Sequence, residues 1–477
     1  MNEKLYWILI TCTVTTISFY FFGISGYNYF FSDVYVYLSY AESLHNIGYI
    51  RDLTTNPSSA PVTTQNGIVL IFTLLDNLTD NMMMKMQIVS FLLTINLIVC
   101  YLLIYKIGLL LDISKNVLYV LIIGLVFSFY FYAYYIAPMN DGFYISLFLL
   151  SLYLFLKLSI ENNKIYWALL FIISVVVPMF RLQGLVVYIA AFLTILIIQK
   201  KYKNSIFIFF YIILGFISVK IFMNLLINDT SGLEELSKLS IIYHWDTLQD
   251  SLIGVLNNAI PSMFLNFPAL RINSEIFFYI KIIFSSVIII LLLIVLFKSF
   301  KNRNSMIFMI TMIIFGNFAA LILLNVILDR YIYINAVLII LVFLFYMKKE
   351  YQMYIAISFL IFSLFTFSLR LYYKQYDSSN ITKNINYIKD NYKSYNLISE
   401  FPRKTYFYLN KASIEDIQYI DSKTNIILII GTKEYIRHKL DKINKIFNIV
   451  KKDYIKLYWI NGYEEYYTLK VEIRSTL

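Results

Sequence analysis

Long apolar runs alternate with short charged segments along the first three quarters of the chain. Most of these runs reach or approach the roughly 20 residues that an α-helix needs to cross a bilayer core. The pattern therefore predicts a polytopic α-helical membrane protein with about eleven transmembrane helices. The predicted spans are Leu5–Gly23, Met86–Gly108, Val117–Ala137, Phe143–Ile160, Ile165–Phe180, Gly184–Gln199, Ser205–Ile227, Ile276–Phe297, Met306–Leu328, Tyr331–Met347 and Met353–Tyr372.

Two apolar stretches have lengths that do not fit a single span. The run from Ile165 to Gln199 would extend about 50 Å at 1.5 Å per residue, which is too long for one crossing. Pro178 and Arg181 interrupt it, and this predicts a tight helical hairpin at one membrane face. The stretch Gly67–Leu78 is too short to cross and is predicted to lie along the interface.

The C-terminal residues differ from the rest, because Lys, Asp, Glu and Asn return and no run is long enough to span. We therefore divide the chain into a membrane domain, residues 1–372, and a small soluble α/β domain, residues 373–477. The run Asn425–Ile430 ends at a glycine and is typical of a buried strand. Periodicity also predicts helical faces at Ile381, Ile385 and Ile388 and at Ile436, Leu440 and Ile443, and strands at Leu457–Ile460 and Tyr466–Ile473.

Basic residues concentrate in alternate loops, and the positive-inside rule assigns those loops to the cytoplasm. The opposite loops carry most of the acids, so eleven crossings place the N-terminus inside and the C-terminal domain outside. Juxtamembrane cations supply much of the net charge of +11, which favours a multi-pass plasma-membrane protein in contact with lipids over a nucleic-acid-binding protein. The basic set is Lys4, Lys106, Lys115, Lys157, Lys164, Lys200, Lys201, Lys203, Lys298, Lys301, Arg303, Lys348 and Lys349.

The first outer loop begins with an acid in a position suited to chemistry. Asp33 follows the first span and opens a helical stretch in which Tyr37, Ala41 and Leu44 share its face. A carboxylate there is suited to act as general base on an acceptor hydroxyl, or to hold an acceptor or a metal ion. An acid before a helix also commonly caps it, and the two roles do not exclude each other.

Two further outer residues are candidates for metal or substrate binding. Asp141 lies in the sequence APMNDGFY between two spans, where Asn-Asp-Gly is also a strong turn signal. Together with Asp33 it could share a divalent cation that neutralises a phosphate or pyrophosphate. His244, in IIYHWD, is a possible metal ligand, although a lone loop histidine is more often a surface residue. A divalent cation is therefore the one cofactor that the sequence leaves open.

Three cations lie at or near the outer ends of apolar helices. Arg181 occurs in PMFRLQGL and Arg330 in LDRYIYI, and each either anchors its helix at the interface or grips a lipid-linked phosphate. A guanidinium group matches phosphate oxygens in a bidentate fork, which suits the second role. Lys220 lies inside an apolar run and either snorkels outward or reaches the same phosphate.

The arrangement resembles the GT-C superfamily of integral-membrane glycosyltransferases, of the protein O-mannosyltransferase and ArnT-like, dolichyl-phosphate-mannose-dependent type. The first element of the resemblance is an acid after the first span that leads a Y-x-x-x-A-x-x-L-x-x-x-G pattern. The others are a second acid in the next outer loop, an R-x-[EQ]-G-like element at a hairpin turn, and an Arg-Tyr pair that opens a late span. The matching residues are Asp33, Tyr37, Ala41, Leu44 and Gly48, then Asp141, then Arg181, Leu182, Gln183 and Gly184, and finally Arg330 and Tyr331.

The resemblance implies a GT-C-like fold, a polyprenyl-phosphate sugar donor and an active site on the outer face. It implies that Asp33 is the catalytic base, that Asp141 binds metal or substrate, and that a glycan, lipid or protein supplies the acceptor hydroxyl. The donor phosphate would be bound by Arg181, Arg330, Tyr331, Lys220 and Gln183. One departure from the family pattern is Val34, because many members have an Asp-Glu pair where this chain has Asp33-Val34.

Three other classes of protein also fit a chain with many spans. A polysaccharide polymerase would have outer arginines too, but such proteins usually carry a large mid-domain outer loop rather than a soluble C-terminal domain. A transporter or lipid-linked glycan flippase often shows matching halves and polar residues near the midplane, which this sequence does not show. A membrane scaffold would have dispensable outer acids.

Overall fold

A computed structural model gives the architecture of most of the chain. It describes residues 3–19, 32–56, 67–128, 135–226, 245–261, 275–324, 333–373, 387–392, 394–400, 409, 411, 413–414, 419–421, 424–461 and 464–474. The membrane part is helical, and the strands of the C-terminal part form a sheet.

Fourteen described helices precede the C-terminal sheet. They are α1 (Glu3–Phe19), α2 (Ser32–Ile47), α3 (Gly67–Asp76), α4 (Met82–Leu110), α5 (Lys115–Val126), α6 (Asn140–Ile160), α7 (Lys164–Phe180), α8 (Leu185–Thr194), α9 (Tyr202–Leu226), α10 (Trp245–Gly254), α11 (Glu275–Lys301), α12 (Ser305–Leu324), α13 (Tyr333–Tyr346) and α14 (Lys349–Tyr373). Helix α8 continues as a π-helix over Ile195–Gln199, and α10 continues as one over Val255–Ala259.

The described part contains seven helices that are long and apolar enough to cross a membrane, so the chain is a helical membrane protein. Each of the eleven predicted spans coincides with a described helix. Four of those helices, α1, α5, α7 and α13, have only 12 to 17 described residues. The count of eleven therefore stays a prediction. The seven segments are Met84–Leu110, Asn140–Ile160, Leu182–Gln199, Tyr202–Phe222, Phe278–Lys301, Ser305–Ile322 and Lys349–Ser368.

The predicted hairpin is present, but proline does not make the break. Helix α7 continues through Pro178 and ends at Phe180. Arg181 then adopts an extended conformation (φ −154°, ψ 122°), and a short 3₁₀ turn, Leu182–Gly184, leads into α8. The extended backbone of Arg181 is therefore what separates the two helices.

One predicted span ends much earlier than its apolar run. The prediction was a helix over Val117–Ala137, whereas α5 ends at Val126. Phe127 caps it outside the helical region (φ −91°, ψ 5°), and its N–H bonds back to Ile123 and Leu125. Apolar character alone did not set this boundary, because the sequence beyond Val126 is as apolar as the helix.

The contacts between side chains show that the loops connecting the helices lie at two opposite ends of the bundle. The connections that carry the basic residues lie at one end, where they contact one another. These contacts are Glu3–Lys115 (3.4 Å), Asp112–Lys349 (3.5 Å), Ser159–Gln199 (3.3 Å) and Lys298 over the ring of Tyr346 (4.8 Å). We call this the basic end. The starts of α3 and α6 and the end of α7 lie at the opposite end, which we call the acidic end.

The C-terminal part forms a four-stranded mixed sheet in the order β2-β4-β6-β5, and helix α15 (Lys433–Asn444) lies between β4 and β5 in the chain. The strands are β2 (Asn396–Ser399), β4 (Ile426–Gly431), β5 (Asn448–Asn461) and β6 (Glu464–Arg474). Strands β2 and β4 are parallel, and the pairs β4–β6 and β6–β5 are antiparallel. Ile436 and Ile443 of α15 are buried, which confirms the helical face predicted there. Of the other predicted face, Ile388 is buried and the rest lies outside the described residues.

A two-stranded parallel sheet joins the first outer loop to the C-terminal part. Strand β1 (Thr55–Asn56) pairs with β3 (Ser413–Ile414), so that Thr55 faces Ser413 and Asn56 faces Ile414. The first outer loop and the C-terminal part therefore lie on the same side of the molecule.

Candidate functional site

A buried ion pair between Asp141 and Arg181 forms the centre of the candidate site. Asp141 lies in the first turn of α6, and Arg181 directly follows α7. The two helices are consecutive and antiparallel, so the start of one meets the end of the other. Arg181 Nε donates to Asp141 Oδ1 at 3.1 Å, and Nη2 donates to Oδ2 at 2.9 Å. Only 1% of Asp141 and 9% of Arg181 is exposed.

This geometry corrects the predicted turn at Asp141 and gives Arg181 a partner that was not predicted. Asp141 is part of a helix rather than of a turn between helices, and both of its carboxylate oxygens accept hydrogen bonds from Arg181. Arg181 in turn directs two donors of its guanidinium fork at a carboxylate, where a phosphate was expected. A buried charge without a partner is strongly destabilising, so each residue is the main reason that the other is tolerated there.

Asn140 connects the ion pair to two other helices. Its Oδ1 accepts a hydrogen bond from the N–H of Ile68, at the start of α3, at 3.0 Å. Its Nδ2 donates to the hydroxyl of Tyr37, on α2, at 3.2 Å. The side chain of Asn96, on α4, donates to the carbonyl of Gly142 at 2.5 Å. The first turn of α6 is therefore bonded to α2, α3 and α4. Sequence reasoning missed Asn140, because it read Asn-Asp-Gly as a turn.

Helix α2 brings the predicted catalytic acid to this end of the bundle. Asp33 lies in the first turn of α2, and Tyr37 follows one turn later, about 6 Å along the helix axis. Tyr37 and Ala41 are buried, and Leu44 packs against the core. Residues 34–41 are buried on every side of α2, so burial does not single out the predicted face. The side chain of Asp33 lies outside the described part, so the structure locates only its backbone.

Two buried polar atoms close to the ion pair have no hydrogen-bond partner among the described residues. They are the amide Oε1 of Gln183 and the hydroxyl of Tyr144. Gln183 lies in the 3₁₀ turn that follows Arg181, and Tyr144 lies one turn after Asn140 on α6. A buried polar atom without a partner costs roughly 1–3 kcal/mol. Gln183 was a sequence candidate, whereas Tyr144 was not.

Arg51 is a further cation, located in the first outer loop between α2 and α3, and it was not predicted from the sequence. Its backbone N–H donates to Ser43 Oγ at 3.0 Å, and the neighbouring N–H of Ile50 donates to the carbonyl of Leu226 at 2.8 Å. These bonds fix the residue between α2 and the end of α9. Its Nε is buried, and none of the described acids pairs with its guanidinium. An unpaired, partly buried guanidinium is suited to bind an anion.

The structure does not bring the other predicted residues into this cluster. Lys220 is exposed on the surface of α9, and no described acid pairs with it. Arg330, Tyr331 and His244 lie outside the described residues.

The described residues do not form an obvious cation site. Over those residues, no group of three or more His, Cys, Asp or Glu side chains is close enough to hold a metal ion. Arg181 already supplies the positive charge beside Asp141. The side chain of Asp33, the other predicted ligand, lies outside the described part, so a cation shared by Asp33 and Asp141 stays a prediction.

Comparison with known proteins adds no family. No protein-family model matches the chain, and no curated protein is significantly similar to it. Function is therefore inferred from the residues at the acidic end of the bundle.

Proposed function

We propose that the protein is a membrane glycosyltransferase that transfers a sugar from a polyprenyl-phosphate donor to an acceptor hydroxyl at the outer face of the membrane. One observation carries the proposal. Helix α2 has Asp33 in its first turn, and its Tyr37 is hydrogen-bonded to Asn140, beside the buried pair of Asp141 and Arg181. A helix that begins with an acid and is bonded to a buried polar centre at one end of an apolar bundle suits chemistry on a substrate that has a lipid tail.

The proposed reaction is a displacement at the anomeric carbon of the donor sugar. The acceptor oxygen forms a bond to that carbon, and the bond between the carbon and the phosphate oxygen breaks. The departing polyprenyl phosphate takes the electron pair. Asp33 accepts the proton of the acceptor hydroxyl as general base. The acceptor is a glycan, a lipid or a protein.

The negative charge that grows on the departing phosphate needs a cation. Arg51 suits this role better than Arg181, because no described acid pairs with Arg51 whereas Arg181 holds Asp141. Arg330 and Tyr331 stay candidates for the same role. In this proposal Arg181 and Asp141 give the site its shape, and the amide oxygen of Gln183 accepts a hydrogen bond from a sugar hydroxyl.

The outer location follows from charge. The connections at the basic end carry most of the juxtamembrane cations, and such connections usually face the cytoplasm. The acidic end, with the C-terminal sheet on the same side as the first outer loop, would then face outward. An enzyme at that face draws its sugar from a lipid carrier because nucleotide sugars are made in the cytoplasm.

The proposal is tested by sugar transfer from a panel of radiolabelled polyprenyl-phosphate monosaccharides. Purified protein in liposomes is supplied with a membrane extract as the source of acceptor. We expect one donor to give labelled product together with an equal amount of released polyprenyl phosphate.

Other outcomes of the same assay point to the rival functions. Products that grow by repeated glycan units would indicate a polymerase. Lipid-linked sugar that moves between leaflets without loss of its sugar would indicate a flippase. Either result would overturn the transferase proposal.

A further inference from the structure

A buried hydrogen-bond network links the C-terminal sheet to helix α2. On the side of the C-terminal part, the N–H of Ser413 donates to the carbonyl of Thr54 at 2.9 Å. The Oγ of the same serine accepts from the N–H of Ser399, at the end of β2, at 2.8 Å. Ser413 therefore bonds the first outer loop with its backbone and the C-terminal sheet with its side chain.

Asp52 continues this network on the side of the membrane domain. Its Oδ1 accepts from the N–H of Thr54 at 3.0 Å and from the hydroxyl of Thr54 at 2.6 Å. It also accepts from the hydroxyl of Ser39, on α2, at 3.3 Å. The Oγ of Ser39 in turn accepts from the N–H of Leu53 at 2.7 Å. One carboxylate and one hydroxyl thus fasten the loop to α2.

Helix α2 is held from both of its sides by bonds of this kind. Ser39 comes two residues after Tyr37, which bonds to Asn140 at the start of α6. Ser43, one turn further on, accepts from the N–H of Arg51. The network is buried, since Ser39, Asp52, Thr54, Ser399 and Ser413 are each at most 5% exposed. Hydrogen bonds shielded from water in this way resist exchange with solvent, so they fix relative positions.

We propose that Asp52 is a positioning residue through which the C-terminal sheet sets the orientation of α2, and with it the position of Asp33. The inference rests on the proposed transferase function, because it assigns the base to Asp33. The C-terminal part is then required for the chemical step through its bonds to the first outer loop. Loss of the network displaces α2, and displacement of a catalytic group by about 1 Å can cost 100-fold in rate.

The test compares Asp52→Ala and Thr54→Val with the control Thr424→Val in the full-length protein. Thr424 also donates its hydroxyl to an aspartate, Asp421, but in an exposed position away from the first outer loop. We expect the two network variants to lower kcat by about tenfold or more with an unchanged KM for the donor. Thr424→Val should keep the kcat of the wild type.

Hydrogen exchange supplies a readout that does not depend on transfer. Amides of α2 and of residues 49–56 should exchange faster in both network variants, while amides of β4 and β6 keep their protection. The double variant Asn56→Cys/Ile414→Cys joins residues that are paired across β1 and β3 and keeps the hydroxyl of Ser413 in the network. In the Asp52→Ala background, oxidation to the disulfide should restore part of the lost kcat, and reduction should abolish that gain.

Two results would overturn the inference. One is a wild-type kcat in Thr54→Val and Asp52→Ala. The other is unchanged exchange of the α2 amides in those variants. If the wild type transfers no sugar at all, the transferase proposal fails, and exchange of the α2 amides still decides whether the sheet orients this helix.

Discussion

At the scale of single residues, the site is defined by charges and amides that partner one another. Arg181 and Asp141 form a buried bidentate pair. Both the oxygen and the nitrogen of the Asn140 side-chain amide form hydrogen bonds to neighbouring helices. Such a centre is specific rather than strongly stabilising, because desolvation of a buried ion pair offsets much of its attraction. Its main effect is to fix where α6 and α7 begin and end relative to α2.

Removal of one residue of this pair should destabilise the protein much more than the removal of both residues would predict from additive losses. Arg181→Gln or Asp141→Asn leaves a buried charge without its partner, which typically costs about 3–5 kcal/mol. The double variant removes both charges, so its loss of stability should be well below the sum of the losses in the two single variants. Denaturant or thermal unfolding of the purified protein in detergent measures the three changes.

A more exposed ion pair at the end of α6 serves as the control for these single and double variants. Lys157 and Glu161 lie 3.6 Å apart, and their side chains are 28% and 50% exposed. Glu161→Gln should change the stability by less than about 1 kcal/mol. Additive losses from the two single substitutions at Asp141 and Arg181 would show that the two residues do not act as a pair.

The sequence identified the charged residues of this site but not their partnership. Asp141 and Arg181 were each predicted as residues at helix ends on one side of the membrane, and they are neighbours at the acidic end of the bundle. That they bond each other depends on how α6 and α7 are rotated about their axes, and α6 is apolar around most of its circumference, so its sequence gives no signal for that. Arg51 was missed because a loop residue reveals a role only through its neighbours, and Asn140 was missed because Asn-Asp-Gly was read as a turn.

At the scale of secondary structure, the start of α6 is the most crowded point of the site. Gly142 lies so close to the carbonyl of Tyr135 and to Leu93 that a methyl group at its position would collide with both. A backbone carbonyl cannot rotate away as a side chain can. Glycine is therefore required there for close approach.

Gly142→Ala should destabilise the protein by roughly 1–3 kcal/mol through overpacking, and it should lower transfer because α6 shifts. The thermal unfolding temperature in detergent and the transfer rate check this expectation. Ser146→Ala, one turn further along the same helix, adds no atom and should leave both nearly unchanged. Equal behaviour of the two variants would mean that α6 has room to move.

Helix ends were harder to predict than helices. The apolar pattern located the helices themselves, and Arg181 correctly divided the long run Ile165–Gln199. The end of α5 at Val126 was missed, because the residues beyond it are equally apolar. Strand β1 was missed as well, since its partner β3 lies more than 350 residues away along the chain.

At the scale of the whole molecule, the structure shows how the connections are grouped, and charge predicts which group faces the cytoplasm. The predicted cytoplasmic connections contact one another at the basic end. The sequence indicates this grouping only through the number of predicted spans between the connections. The pairing of β1 with β3 places the C-terminal sheet on the side of the first outer loop. Both observations agree with an odd number of crossings between the N-terminus and the C-terminal sheet.

Labelling in intact cells should show the C-terminal sheet outside and the basic end inside. Lys445→Cys lies in the C-terminal part and Lys200→Cys at the basic end, and both positions are exposed. In a background with Cys12→Ser, a membrane-impermeant maleimide should label the first variant at once and the second only after permeabilisation. The reverse pattern would invert the topology and move the site to the cytoplasmic face.

The central claim is that Asp33 acts as the base for sugar transfer at the acidic end of the bundle. The most direct measurement is the initial rate of transfer by Asp33→Asn, compared with the wild type and with Asp80→Asn. Asp80 is an exposed acid in the turn between α3 and α4. Asp80→Asn therefore makes the same change in charge as Asp33→Asn, but outside the proposed site.

We expect Asp33→Asn to lose about 100-fold or more in rate at an unchanged yield of folded protein, because general-base catalysis typically contributes that much. Asp80→Asn should keep the wild-type rate. Full transfer by Asp33→Asn would contradict the assignment of the base and, with it, the proposed site.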